Sequence, residues 1–283
     1  MTLTLPAPAK LNLFLHINGR RDDGYHLLQT LFVLLEHGDT LHLQPANDLQ
    51  VHCPGLPGAM TDNLVYRAAK LLQAHTGTRQ GAHIYVTKRL PAGGGLGGGS
   101  SDAATALLGL NRLWELGLSL DTLAQLGLEL GADVPVFVRG HSAFAEGVGE
   151  QLTSVDVPEQ WYLVVFPGVF VSTQEIFCDR ELTRNTPPIT VQAVLGAAPE
   201  TQLGNDCEPV ARRLFAEVDE ALGWLERHVG TGRMTGTGAC VYATVANWQK
   251  GAKLLAHLPP RWSGFVARSC NTSPLHRVLE DKG

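Results

Sequence analysis

Residues 10–17 carry an aliphatic side chain at every second position, with Phe14 the one apolar residue among the others. That period of two predicts a strand with Leu11, Leu13, Leu15 and Ile17 on one face. Lys10 and Asn12 then share the opposite face, about 7 Å apart. Turn signals at Asp22-Asp23-Gly24 and His37-Gly38-Asp39 bound further strands over 29–35 and 40–43. Asp62 reads as the N-cap of a helix whose stripe is Leu64, Ala68, Leu71 and Leu72. Residues 83–91 alternate again, as a half-exposed antiparallel strand does. Beyond residue 100 the period lengthens. Ser101 or Asp102 can cap a helix with Ala103, Ala106, Leu107, Leu110 and Trp114 on one face, and Ser119 opens another that Gly131 ends. Asp133 and Pro135 suit the cap and first turn of a short helix, and residues 142–145 read as a strand.

The pattern restarts near residue 155. Residues 161–166 form a strand, and 209–229 form one long helix with Val210, Leu214, Val218, Leu222 and Leu225 inward. Strands over 233–235 and 240–245, a helix over 248–258 and a strand over 264–269 complete a β-α-β-β-α-β order, that of a ferredoxin-like split βαβ unit. Residues 177–205, rich in Pro, Thr and Arg, read as a long loop. The chain divides into two α+β domains, 1–152 and 153–283, joined near 148–158.

Between the strand at 83–91 and the helix after it, six of seven residues are glycine, from Gly93 to Gly99 with Leu96 among them. Glycine costs backbone entropy, so such a run marks a backbone needing positive φ or close approach by a ligand. The helix N-terminus that follows suits phosphate. The run satisfies the dinucleotide fingerprint only because it satisfies almost any glycine pattern, and the strand before it is not a buried parallel one. It also lacks the lysine of a P-loop, since Gly99 is followed by Ser100-Ser101. A flexible linker would have polar, helix-poor flanks. A nucleotide phosphate cradle of another kind remains.

Composition narrows the field. The 283 residues are 44% apolar and 17% charged, with a net charge of −5 that argues against nucleic acid as the main partner. Five scattered cysteines without a C-x-x-C pair read as reduced thiols. The N-terminus, with Pro6, Pro8 and Lys10, does not read as a signal peptide, and the longest later apolar run is too short for a bilayer. A cytoplasmic protein is expected. No two of the eleven histidines lie at helical i, i+4 spacing, and none pairs with a cysteine at zinc-ligand spacing, so no metal site is assigned.

Five segments carry a family resemblance: Pro8-Ala9-Lys10-Leu11-Asn12-Leu13, Asp23-Gly24-Tyr25-His26, Leu90-Pro91-Ala92 with the glycine run and Ser100-Ser101, Gly131-Ala132-Asp133-Val134-Pro135, and Thr235-Gly236-Thr237-Gly238-Ala239. The chain resembles the GHMP kinases, and among them the branch acting on a cytidyl diphosphate. The resemblance implies a two-domain fold, a ribosomal-protein-like N-terminal domain followed by a ferredoxin-like one. It also implies ATP and Mg²⁺ as cofactors and a small-molecule cytidyl diphosphate substrate, with no nucleic acid or membrane partner, in a monomer or weak homodimer. Pro91, Ala92, Gly93, Gly94, Gly95, Leu96, Gly97, Gly98, Gly99, Ser100 and Ser101 would wrap the ATP phosphates. The two serines could offer hydroxyls to phosphate or Mg²⁺, or simply cap the helix. Asn63, Leu64 and Lys88 would lie beside adenine. Asp133 would be the general base and Lys10 its partner, neutralising charge on the transferred group. Asn12 would orient the acceptor. Tyr25 and Phe177 would sandwich the cytosine, His26 would hydrogen-bond it, and Leu15 and Leu28 would line the pocket. Gly236 and Gly238 would let the second domain approach. Asp102, where some members have asparagine, is a variation. A homoserine- or mevalonate-type kinase, a non-catalytic binding module and a dinucleotide-binding dehydrogenase are the alternatives weighed against this.

Overall fold

A computed structural model describes residues 2–54, 58–196 and 203–280. The first half is built on two long paired strands, β1 (Leu3–Arg20) and β2 (His26–Ala46). β2 carries β4 (Gly81–Thr87) antiparallel on its edge, with β3 (Leu49–His52) parallel beyond it, and β5 (Ala143–Glu146) joins β2 to β6 (Gln151–Ser154). Helices α1 (Leu64–Thr76), α2 (Gly98–Leu113), α3 (Leu120–Leu130) and α4 (Val134–Arg139) supply apolar stripes, Val65, Ala68 and Leu72 of α1 among them, to the first core. No helix among the described residues is long and apolar enough to cross a membrane.

The second half has strands β7 (Trp161–Phe166), β8 (Arg233–Met234), β9 (Val241–Val245) and β10 (Ser263–Cys270) in the order β10-β7-β9-β8, all antiparallel. The fourth strand thus lies beside the first, and the third between the first and second, as the split βαβ order requires. The helices are α5 (Thr173–Cys178), α6 (Val191–Leu195), α7 (Glu208–Leu214), α8 (Ala216–Val229) and α9 (Trp248–Leu255). A last helix, α10 (Pro274–Glu280), returns to the first half, where Leu275 enters the first core. A third cluster joins the halves: Leu11, Phe14 and Val33 from one, Tyr162, Val164 and Tyr242 from the other.

Several local expectations give way to tertiary geometry. The alternation in β1 is interrupted by a register shift between Asn12 and Leu15. Leu11 and Leu13 therefore pack between the halves, whereas Leu15 and Ile17 enter the second-half core. His37-Gly38-Asp39 is no turn but runs within β2, where Gly38 faces Pro8 and any side chain would collide with the Ala7 carbonyl. β4 has one parallel neighbour as well as the antiparallel one expected, and shows His83 and Tyr85 to solvent. Asn63, not Asp62, caps α1, its side chain accepting from the Val65 N–H at 2.9 Å. The helix over 209–229 breaks at Phe215, which is extended. The loop over 177–205 contains α6, and its residues 197–202 lie outside those described.

Candidate active site

The glycine run connects β4 to α2, which starts at Gly98 with Gly97 as its cap, earlier than Ser101 or Asp102 would have started it. Gly95 and Gly97 have φ of 71° and 70°, the left-handed region that glycine alone adopts cheaply. A Cβ on Gly95 would collide with the Thr235 carbonyl, and one on Gly97 would lie 2.8 Å from the Phe137 ring. The loop is tied down through its carbonyls. Gly93 and Gly94 accept from the N–H groups of Ala239 and Cys240 at 3.3 and 3.2 Å, and Leu96 accepts from that of Lys10 at 3.0 Å. The first-turn N–H groups of α2, which no helical carbonyl can satisfy, remain for an anion.

Lys10 is 3% exposed, and its ammonium makes three contacts for three protons: Asn12 Oδ1 at 2.6 Å, Gly95 O at 3.0 Å and Asp133 Oδ2 at 3.3 Å. That tripod fixes the ammonium between the glycine loop and Asp133. Asp133 occupies the cap position of α4, but its side chain makes no cap hydrogen bond and stays one-third exposed. The capping role open to it in the sequence is therefore not the one it plays. Asn12 donates to Thr30 Oγ1 at 2.9 Å, and its backbone N–H donates to Thr235 Oγ1 at 3.0 Å. Lys10, Asn12, Leu15, Leu28, Asp133 and Gly236 line a cavity of about 240 Å³, which Phe177 also borders. Gly238 lies outside it, donating its N–H to the Thr235 carbonyl at 3.0 Å.

Leu28, Ala132, Val148, Thr173 and Phe177 also line a second, larger space of about 790 Å³ that reaches Tyr25 and His26. Tyr25 is 64% exposed at its mouth. Phe177 stacks on His26, with ring centroids 4.9 Å apart and planes 22° apart, and borders the same space as Tyr25. Arg184 Nε donates to His26 Nε2 at 3.1 Å, which places the proton of the neutral ring on Nδ1. Burial, then Arg184 and Arg20, lower the His26 pKa below its ordinary value, so the ring stays neutral.

On the other side of the loop, Asn63, Leu64, Gly99 and Asp102 line a cavity of about 350 Å³ with Val51 and Met60. Lys88 does not line it. Its ammonium is held between the carboxylates of Asp39 and Asp102, the latter at 2.7 Å. Asp39 is fully buried and also accepts from the Leu90 N–H at 2.9 Å. Ser100 is half-buried; Ser101 is wholly buried, its hydroxyl without a partner among the described residues. No group of three or more His, Cys, Asp or Glu among those residues could hold a metal ion. Sequence reasoning passed over Thr235, Thr30 and the Asp39–Lys88–Asp102 cluster. Only the resemblance pointed near the first, and Asp39 was disguised as a turn residue.

Burial pushes the Asp102 carboxyl up to about 7 against the pull of Lys88, with Asp39 adding to the rise. A carboxyl whose folded pKa lies above its unfolded one withdraws stability as pH climbs from the unfolded value through the folded one. Asp102→Asn removes that cost. The expected result is a Tm raised by a few degrees at pH 8 and by less at pH 5, read by thermal unfolding at both values.

Models of the GHMP kinases N terminal domain and the GHMP kinases C terminal domain match residues 63–141 and 194–261. The chain is 59% identical over 99% of its length, and 94% of the relative's, to a 4-diphosphocytidyl-2-C-methyl-D-erythritol kinase of Alcanivorax borkumensis. It is 57% identical to one of Pseudomonas aeruginosa, with 98% of each chain covered. A crystal structure of a 4-(cytidine 5'-diphospho)-2C-methyl-D-erythritol kinase superposes with a TM-score of 0.82 at 35% identity, covering 94% of this chain and 99% of that one. A mevalonate kinase structure at 15% identity, TM-score 0.70, shares the fold over 95% of this chain and 99% of that one. The chain belongs to the GHMP kinase family and is an ATP-dependent kinase of small molecules.

Proposed function

We propose that the chain transfers the γ-phosphoryl group of ATP to the 2-hydroxyl of 4-diphosphocytidyl-2-C-methyl-D-erythritol, giving ADP and the 2-phosphate, in non-mevalonate isoprenoid precursor synthesis. One observation carries this reading. The Lys10–Asp133 pair lies where the glycine loop meets a cavity that opens toward Tyr25 and His26. Residues 1–152 supply the ATP cradle and the base, and 153–283 close the acceptor side through Phe177 and Gly236.

Phosphoryl transfer asks for positioning and charge stabilisation rather than covalent catalysis. Asp133 takes the proton of the acceptor hydroxyl as its oxygen attacks phosphorus. The ammonium of Lys10, oriented by Gly95 and Asn12, counters the charge that grows on the transferred oxygens. The α2 amides hold the phosphates. The Ser101 hydroxyl beside them, without a partner among the described residues, is a fitting ligand for a phosphate or its Mg²⁺, which when bound would neutralise phosphate charge. His26, with its proton on Nδ1, offers a neutral donor to a cytosine acceptor, and Tyr25 an open ring face.

ADP release in a coupled assay tests this with three acceptors. Turnover with the cytidyl polyol, and about 10³-fold less or none with mevalonate and homoserine, is the expected result, because those acceptors leave the base-recognising groups unpaired. Turnover with mevalonate or homoserine instead would overturn the substrate assignment.

A further inference from the structure

The cavity bordered by Asn63, Leu64 and Gly99 contains one group that the account above leaves unused. Asp102 is 4% exposed. One of its carboxylate oxygens holds the Lys88 ammonium at 2.7 Å, while the other, Oδ1, is buried with no hydrogen-bond partner among the described residues. Lys88 is itself divided between Asp102 and the fully buried Asp39, so two carboxylates share one cation. A buried carboxylate oxygen without a donor is an expensive feature to keep. No N–H or cationic donor among the described residues offsets it, and Asp102 lines the cavity.

The position of that carboxyl says which part of a nucleotide could meet it. Asp102 follows Gly98 and Gly99 by one turn of α2, so it stands about 5 Å behind the amide end that suits phosphate. A carboxylate repels phosphate, and the walls around it include the apolar Val51, Met60 and Leu64. An apolar slot with one fixed acceptor suits the nucleoside end of a nucleotide. We infer that Asp102 is a further nucleotide-binding residue, whose free oxygen accepts a hydrogen bond from a neutral donor on the nucleoside of ATP, either the exocyclic amine of adenine or a ribose hydroxyl. The Lys88–Asp39 pair anchors the carboxyl from behind. The inference rests on the reading of this cavity as the ATP nucleoside site.

The test compares ATP with inosine triphosphate, which lacks the exocyclic amine, and with 2′-deoxy-ATP and 3′-deoxy-ATP. It is run on the intact enzyme and on the Asp102→Ala and Asp102→Asn variants. The asparagine variant keeps an acceptor for Lys88 by turning its carbonyl toward the ammonium, which leaves an amide nitrogen in place of Oδ1. It loses the acceptor without losing the anchor, and so stands in for an alanine variant that fails to fold. The native enzyme is expected to lose about tenfold or more in kcat/KM with at least one analogue. In the variants that gap closes to about threefold or less, because the discriminating acceptor has gone. Loss with inosine triphosphate identifies the amine, and loss with a deoxy analogue the hydroxyl. A purely structural Asp102 would lower activity with every nucleotide alike and leave the ratios where they were. Unchanged ratios, or a native enzyme indifferent to all three analogues, would overturn the inference while leaving the kinase reading intact. Absence of turnover with ATP itself would remove both.

Discussion

Asp133→Asn is expected to lower kcat by about 10² to 10⁴-fold while KM for both substrates moves by no more than a few-fold. The amide keeps an oxygen for Lys10 but has no basicity to take the acceptor proton. The side chain makes no cap hydrogen bond to α4 and is one-third exposed, so what its replacement removes is the counter-charge of the buried Lys10, whose ammonium keeps Asn12, Gly95 and the amide oxygen. The fold should survive, with a Tm lower by a few degrees at most. Steady-state kinetics with each substrate varied in turn, beside a thermal unfolding curve, separates the two effects. A variant retaining a third of the native kcat would mean that the proton leaves by another route.

Gly95→Ala should be nearly as damaging for a different reason. With φ at 71° the residue is in the left-handed region, and a methyl group there meets the Thr235 carbonyl. The loop has to move away from the second half. It then loses the bonds from Lys10 Nζ at 3.0 Å and Thr235 Oγ1 at 3.2 Å that converge on the Gly95 carbonyl. A displacement of about 1 Å at a phosphate cradle costs on the order of 10²-fold in kcat/KM, with a Tm drop of several degrees from the strain. Gly99→Ala provides the contrast. Gly99 sits within α2, where a methyl group touches only the tip of Leu64 at 3.4 Å, so its Tm should hold. Equal Tm losses in the two variants would show that the loop does not depend on the Gly95–Thr235 contact.

What the sequence made legible was local. The glycine run, the Asp133 segment and the Thr235–Ala239 segment are each contiguous, and the alternation through Lys10 and Asn12 placed them on one strand face, where they are in contact at 2.6 Å. Residues whose roles depend on crossing distances were not legible. Gly38 looks like a turn and is instead the point where β1 and β2 backbones press together. Asp39 beside it looks like part of that turn and is a buried anchor for Lys88, 49 positions away. Lys88, assigned to adenine by its place before the loop, is consumed by that cluster. Thr235 looks like the end of a strand, yet its hydroxyl touches Asn12 and Gly95 across the seam between the halves. Phe177 borders the same space as Tyr25, but its stack on His26 was not legible, because it depends on an approach of residues 151 positions apart that no short pattern encodes. Periodicity reports which side of an element is buried; it does not report what buries it.

Phosphorus NMR of the product is the most direct test of the central claim. The enzyme is incubated with ATP, Mg²⁺ and 4-diphosphocytidyl-2-C-methyl-D-erythritol. The account predicts one new monophosphate ester resonance, on the 2-oxygen of the erythritol unit, growing in step with ADP while the cytidyl diphosphate resonances persist. The same signal should be absent over the same interval with Asp133→Asn. A phosphate placed on another hydroxyl, or ADP formed with inorganic phosphate as its only partner, would contradict it.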